Sequence, residues 1–317
     1  MKISEIVALG LWPDSKKTTS QKGISELEDL GYNLFYIGKN ADLYTCPGAD
    51  AKVLLVRSDR CSVFDIPLNL EIEGKGVSQT AISNNGAQFA KESGIRTAIL
   101  SEKIDQSLAI APRCQLMELC KPLEAQIDGE VVQFELIFRN YLTGSLFDAC
   151  QKGSDPYGLE LPSGLKEWHK FESPIFTPTT KGIKDEPLNT AKVKTAFPEI
   201  ATSLEKLFKD FTAFAQERGI IVVDTKFEIF FFFFGEWVLG DEVLTPESSR
   251  FISKEDFDAA NYISMDKQLL RDFGKANNWK EKSKDLKPGE KLEVNVPQTI
   301  KDKILSGYTT ILNRLSK

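Results

Sequence analysis

The sequence predicts antiparallel β-structure interleaved with helices, and three stretches carry that expectation. Asn33-Leu34-Phe35-Tyr36-Ile37, Asp42-Leu43-Tyr44 and Lys52-Val53-Leu54-Leu55-Val56-Arg57 are β-rich, broken by Gly38, Pro47 and Gly48, and read as a meander. Asp128-Gly129 stands as a hairpin turn between Leu123–Ile127 and Val131–Phe138. Ile200–Arg218 is an amphipathic helix. Its Leu204, Leu207, Phe208, Phe211, Phe214 and Ala215 recur at spacings of three and four before Gly219 ends it.

The remaining elements follow in chain order. Residues 1–30 read as an N-terminal extension that closes in a short helix, Ser25–Leu30, stopped by Gly31. A helix is expected near Thr80–Ser93, ended by Gly94. The stretch 151–190 holds Pro156, Pro162, Pro174, Pro178 and Pro187 and reads as one long loop, a length usually tied to function. Ile220–Asp224 is a buried strand ending in a carboxylate. Thr225–Phe234 and Trp237–Leu239 read as a hairpin around Gly235-Glu236. Phenylalanines at 230–234 put aromatics on both faces of that strand, so both faces are expected to be covered. The tail from 254 reads as helices around a Lys-rich loop at 280–291.

The composition narrows the function classes. The 317 residues carry 40 Lys+Arg against 46 Asp+Glu, a formal net charge of −6. That balance gives no electrostatic footprint for nucleic acid or for an anionic membrane. No apolar run approaches the roughly 20 residues that span a bilayer. Five cysteines, at 46, 61, 114, 120 and 150, include no CxxC pair. A zinc ribbon has no support, and a reducing, cytoplasmic setting is expected. His169 is the only histidine, which excludes a metal site or proton relay built on two imidazoles. The sequence contains no G-x-x-x-x-G-K-[ST], no G-x-G-x-x-G and no G-x-S-x-G.

What remains is a set of charges at strand ends and in loops. Gly38-Lys39 and Gly74-Lys75-Gly76 each pair a lysine with backbone that can approach a phosphate closely. Asp224-x-Lys226-x-Glu228 places three charged side chains on one face of a strand. A cation site or a phosphate-handling lysine explains that stripe; so does a structural line of ion pairs. Gly240-Asp241-Glu242 closes the same hairpin and returns Asp241 toward Glu228. Two carboxylates from neighbouring strands suit Mg²⁺, which shares its remaining positions with phosphate and water. Arg139 with Ser145, and Arg250 with Ser249, each join a guanidinium to a hydroxyl near a turn, a combination that binds carboxylate or phosphate or, taken alone, stabilises a loop.

Taken in order, these stretches resemble the SAICAR synthase (phosphoribosylaminoimidazole-succinocarboxamide synthase) family of purine biosynthesis over about residues 34 to 315. The resemblance rests on Gly38-Lys39-x-x-x-x-Tyr44, Ser58-Asp59-Arg60-x-Ser62-x-Phe64-Asp65, Gly74-Lys75-Gly76, Arg139-Asn140-Tyr141-Leu142-Thr143-Gly144-Ser145, Leu161-Pro162-x-Gly164-Leu165-Lys166, Pro174-Ile175-Phe176-Thr177-Pro178-x-Thr180-Lys181, Asp224-x-Lys226-x-Glu228 and Asp241-Glu242-Val243-Leu244-Thr245-Pro246-x-Ser248-Ser249-Arg250.

The resemblance implies an α+β fold, a small N-terminal antiparallel β domain over a larger α+β domain with ATP in the cleft. It implies three segments: an extension at 1–30, a β-rich nucleotide lid at 31–120, and a domain at 121–317 with the substrate and metal site. It implies an ATP-dependent ligase that joins L-aspartate to CAIR (carboxyaminoimidazole ribonucleotide) through an acyl phosphate, giving SAICAR, ADP and phosphate. By that resemblance Gly38, Lys39 and Lys75 meet ATP, and the segment containing Cys120, Lys121 and Leu123 meets adenine through its backbone. Glu228, Asp241 and Asp185 are the expected Mg²⁺ ligands. Arg139, Ser145, Ser249, Ser62 and Asp65 are expected on substrate, and Lys226, Asp224 and Arg250 at the chemistry. The implied partners are small molecules, with no nucleic acid and no membrane, and the protein is expected as a monomer or homodimer. The sequence departs from the family pattern at Asn40-Ala41, where a basic residue is usual, at Ile229-Phe230, where an aromatic and then glycine are usual, and at Lys184, where His often precedes the loop acid. A paralogous amide ligase with another amine or carboxylate is the second reading, and a nucleotide-binding protein without turnover the third.

Overall fold

The N-terminal meander folds into one sheet because each turn is short and its strands are rich in β-branched, aromatic and leucine residues. In the computed structural model, which describes residues 23–316 apart from 128, 182–184, 232–235 and 288, the strands β1 (Asn33–Ile37), β2 (Ala41–Cys46) and β3 (Ala49–Arg57) pair antiparallel in sequence. Asp128, Lys184, Phe232–Phe234, Gly235 and the first 22 residues of the extension lie outside the described residues. The sheet is completed by β6 (Cys114–Glu118), in the order β1-β2-β3-β6. The expected short helix is α1 (Ser25–Glu28), followed by Gly31 at φ +85°. Leu27 of α1 packs with Tyr44, Leu54 and Val56 beneath the sheet.

A separate hairpin, β4 (Arg60–Val63) and β5 (Ile66–Glu71), turns through Phe64 and Asp65. Both lie at positive φ, +54° and +62°, as the favoured two-residue hairpin turn requires. Next comes α2 (Lys75–Glu92), which begins five residues earlier than the expected Thr80. Gly74, at φ +84°, breaks the chain direction and lets the helix start at once. The two glycines within α2 give it low helix propensity. They also let neighbours approach: a methyl on Gly86 would lie 2.2 Å from the Val243 carbonyl oxygen.

The second sheet has eight strands. Its main path runs β10 (Lys170–Phe176), β9 (Glu130–Tyr141), β12 (Ile220–Phe231), β13 (Trp237–Gly240). Four strands lie off it: β7 (Lys121–Pro122) and β14 (Ser249–Ser253) pair with β12, and β8 (Glu124–Ile127) and β11 (Thr179–Thr180) pair with β9. The predicted hairpin is β8–β9, with Ile127 opposite Glu130. Where the sequence suggested two segments, 220–224 and 225–234, β12 is one strand of 12 residues. It runs continuously because β9 and β14 pair with its first part, and β13 and β7 with its last.

The stretch 151–190 is not all loop. It contains β10 and β11, and it is preceded by α3 (Ser145–Gln151). Pro174 and a register break between Lys170 and Ile175 hide β10 from a pattern search, and an edge strand tolerates both.

Packed on this sheet is α5 (Pro198–Glu217), preceded by α4 (Thr190–Ala196). Leu204, Phe208 and Phe211 of α5 share one core with Phe138, Val222, Phe227 and Phe251. The tail forms α6 (Lys254–Asp258), α7 (Gln268–Ala276), α8 (Trp279–Lys282) and α9 (Gln298–Leu315). Along α9, Ile304, Tyr308, Ile311 and Leu315 join the same core as Ile82 and Ala87 of α2, so a helix from the N-terminal half is built into the larger layer. The chain is α+β, with the small N-terminal sheet beside the large one. No helix among the described residues is long and apolar enough to cross a membrane.

Candidate active site

Strand β12 is the spine of the site. Its register sets Asp224 opposite Arg139 on β9 and opposite Arg250 on β14. Asp224 Oδ2 accepts from Arg139 Nη1 at 2.8 Å, and Asp224 Oδ1 accepts from Arg250 Nε at 3.0 Å. Arg139 Nε donates to Thr177 Oγ1 at 2.9 Å. One buried carboxylate thus fixes two guanidinium groups. Burial pushes the Asp224 pKa up, but Arg250 and Arg139 pull harder and hold it below the usual carboxylate range. Burial lowers the Arg139 pKa against the pull of Asp224. Gly144, at φ +61°, lies against Arg250: a methyl there would be 3.4 Å from Arg250 Nη1. Ser145 follows it, exposed at the start of α3. Ser249 is turned differently. Its hydroxyl lies 2.7 Å from Thr225 Oγ1, buried between β12 and β14.

Two residues on, Lys226 Nζ donates to Glu135 Oε1 at 2.6 Å and to Glu228 Oε1 at 2.8 Å. Lys181 donates to the other Glu228 oxygen. Burial opposes the charge on Lys226, but Glu228 and Glu135 raise its pKa above the ordinary lysine value. Burial likewise opposes the charge on Glu228, but Lys226 and Lys181 hold its pKa at about 2. The β12–β13 register sets Glu228 opposite Gly240, next to Asp241. Asp241 takes a left-handed backbone, φ +53°. Burial, then the charges of Glu228 and Glu242, push its pKa up to about 7.

Those carboxylates fit a divalent cation. Glu228 and Asp241 repel one another across a strand end, and a cation between them relieves that repulsion. Asp185 is exposed and acts on Glu135 through its charge. Among the described residues no three acidic, cysteine or histidine side chains converge as a metal-holding group. A divalent cation at this pair would need non-protein oxygens to complete its coordination.

The residues expected on the nucleotide come from the β1–β2 turn, from α2 and from the 120–123 segment. Gly38 N donates to Ala41 O at 2.8 Å and closes the β1–β2 turn. Lys39 Nζ, exposed at its tip, donates to Asp65 Oδ1 at 2.7 Å. Arg60 donates to Gly38 O at 3.1 Å and pairs with Asp42, bracketing the turn that holds Ala41. Ser62 Oγ donates to Asn40 Oδ1 at 3.3 Å. Lys75 is 2% exposed, and its ammonium lies 3.5 Å from Glu247, so it faces a buried carboxylate. Leu123 N donates to Ile229 O at 2.9 Å, and Lys121 pairs with Phe231, which anchors the 120–123 segment to β12. Burial pushes the Cys120 thiol up to about 12, an inert packing group.

Sequence reasoning missed several members of the site. Glu135 was hidden in a β-rich run with no motif around it. Lys181 and Thr177 were quoted in a motif without a role. Glu247 accepts from Lys267 Nζ at 2.7 Å and from Tyr308 Oη at 2.7 Å, joining α7 and α9 to the segment just before Ser248-Ser249-Arg250. Nothing in local sequence signals that junction.

Comparison with known proteins gives this charged strand a class. The family model described as SAICAR synthetase matches residues 34–286. The chain belongs to the SAICAR synthase family. The phosphoribosylaminoimidazole-succinocarboxamide synthase of Desulfotalea psychrophila is 33% identical over 264 residues, covering 78% of this chain and 85% of that one. That of Actinobacillus succinogenes is 33% identical over 301 residues, covering 92% of this chain and 100% of that one. Among solved structures, SAICAR synthase from Saccharomyces cerevisiae complexed with SAICAR is similar with a TM-score of 0.70 at 28% identity, covering 93% of this chain and 97% of that one.

Proposed function

We propose that the chain is the ATP-dependent ligase that joins L-aspartate to the carboxylate of CAIR, giving SAICAR, ADP and phosphate. The observation that carries this reading is the strand Asp224-x-Lys226-x-Glu228, which lines up an anion-binding pair of arginines, a charged lysine and a metal-suited carboxylate. Phosphoryl transfer to a carboxylate needs positioning and charge neutralisation more than an acid or base, so a site without histidine suffices.

Arg250 and Arg139, held by Asp224, bind the phosphate or carboxylate of the ribonucleotide in a fixed fork, with Ser145 beside them. Lys226 stays protonated between Glu135 and Glu228 and offers its charge to the oxygens that become more negative during transfer. Glu228 and Asp241 are the Mg²⁺ ligands, with Asp185 a further candidate from its loop. Mg²⁺ supplies neutralisation of phosphate charge when bound. Gly38 and Lys39 cover the ATP phosphates, Lys75 flanks that site, and the backbone at Cys120, Lys121 and Leu123 meets the adenine. Ser62 and Asp65 face the aspartate or nucleotide, and Ser249 holds Arg250's strand in register. Residues 31–120 form the nucleotide side and residues 121–317 the substrate side.

ADP release from purified protein with Mg-ATP and CAIR, with and without L-aspartate, tests the reading. ADP formed only with both substrates, in step with SAICAR, is the expected result. ADP formed equally well with another amino acid in place of aspartate overturns the substrate assignment, and no ADP under any condition overturns the ligase reading.

A further inference from the structure

The loop that carries Asp241 is gripped from the opposite domain. Arg57, at the end of β3 in the N-terminal sheet, is 2% exposed. Its Nη1 donates to Glu242 Oε1 at 3.0 Å, its Nε to Gln115 Oε1 at 3.0 Å, and its Nη2 to Ser83 Oγ at 3.3 Å. Gln79 of α2 donates to the same Glu242 oxygen, and Thr245 Oγ1 donates to Glu242 Oε2 at 3.1 Å. Every part of the Glu242 carboxylate is therefore held, and the holders come from β3, α2 and the loop itself.

The backbone on either side of Glu242 needs that grip. Asp241 lies at φ +53° and Leu244 at φ +56°, both left-handed conformations that cost a non-glycine residue energy. Val243 and Leu244 are buried, and the Val243 carbonyl is pressed against Gly86 of α2. A loop free to relax would return Asp241 to ordinary φ and swing its carboxylate away from Glu228.

We propose that Arg57 and Glu242 are a positioning pair: the part-buried ion pair clamps the 241–245 loop to the nucleotide-side sheet, and so fixes the separation of Asp241 from Glu228. The hydrogen bonds of the pair all go to protein groups, so its role is positioning. It makes the geometry of the carboxylate pair depend on the seating of the N-terminal sheet against the 241–245 loop. This rests on the reading of Glu228 and Asp241 as the Mg²⁺ ligands.

The test is calorimetric binding of ADP in Mg²⁺ and in EDTA, with the ratio of the two affinities as the Mg²⁺ gain. Glu242→Gln, which keeps the shape and loses the charge, is expected to reduce the gain about tenfold or more, the usual effect of removing an outer partner of a metal ligand. ADP affinity in EDTA is expected to stay as in the wild type. Arg57→Lys keeps the charge but loses the fork, and is expected to fall between the two. Should a single variant fail to fold, Arg57→Met combined with Glu242→Gln leaves no buried charge unpaired and is read in the same way. Asp241→Asn is the control. A gain lost in Asp241→Asn yet intact in the clamp variants overturns the clamp alone. Equal loss of ADP affinity in Mg²⁺ and EDTA overturns it too, because the pair then only supports the fold. A gain that survives Asp241→Asn overturns the metal reading and the clamp with it.

Discussion

Gly240 and Phe230 meet across the β12–β13 ladder so closely that a methyl on the glycine would lie 2.4 Å from the Phe230 ring. The departure at Phe230 is thus absorbed by a residue with no side chain, one position before Asp241. The ring also packs with Cys120 and Val238, which leaves it little room to turn away.

Gly240→Ala is therefore expected to displace the strand end that carries Asp241. An error of about 1 Å in a positioned group costs up to about a hundredfold in rate. In a Phe230→Ala background the same change should cost far less. Steady-state rates for the four proteins of that cycle measure the coupling, and additive effects would show that the two residues do not interact.

Glu228→Gln removes the charge that Lys226 and Lys181 share. The rate of ADP formation is expected to fall at least about a hundredfold, a loss of about 3 kcal/mol in transition-state stabilisation. Far-ultraviolet circular dichroism should be unchanged. A variant that keeps wild-type turnover would remove Glu228 from the chemistry.

Arg250→Lys is not a conservative change at a guanidinium that Asp224 holds by two atoms. The KM for CAIR is expected to rise at least about tenfold while the KM for ATP stays within about twofold, since each lost charge-assisted contact is worth about 1.5–3 kcal/mol. Equal increases in both constants would count against a dedicated ribonucleotide contact.

Glu247 sets an acid limit on stability. Burial raises its pKa, but Lys267 and Lys75, with the hydroxyl of Tyr308, hold it well below the ordinary glutamate value of 4.5. A carboxyl held down in the folded state adds stability that is complete above its unfolded pKa. That stability is lost as the pH falls below 4.5 toward the folded value. Glu247→Gln is expected to cost about 3 kcal/mol at neutral pH, because buried Lys75 and part-buried Lys267 lose their partner. Urea unfolding at a series of pH values should show that gap narrowing below pH 4.5. A gap independent of pH would contradict the assignment.

Much of this site was legible in the linear chain. Period two along a strand put Asp224, Lys226 and Glu228 together, and the hairpin return put Asp241 near Glu228. The turn at Gly38 and the helix 200–218 follow from local backbone chemistry in the same way. The start of α2 and the strand β10 were not legible, because glycine and proline mask the local pattern while long-range pairing holds the structure.

The partners of the charged residues belong to the tertiary structure alone. Sequence determined which side chains share a face, because backbone geometry fixes that within a few residues. Whether the stripe at 224–228 is a set of free ligands or a paired network depended on Glu135, Lys181, Arg139 and Arg250, which arrive from other strands and loops. The grip of Arg57 on Glu242 spans 185 residues of chain. Such a contact leaves no periodic or local signal. It exists only because the two sheets and α2 pack in one arrangement, and burial makes an unpaired charge at that junction too costly to keep.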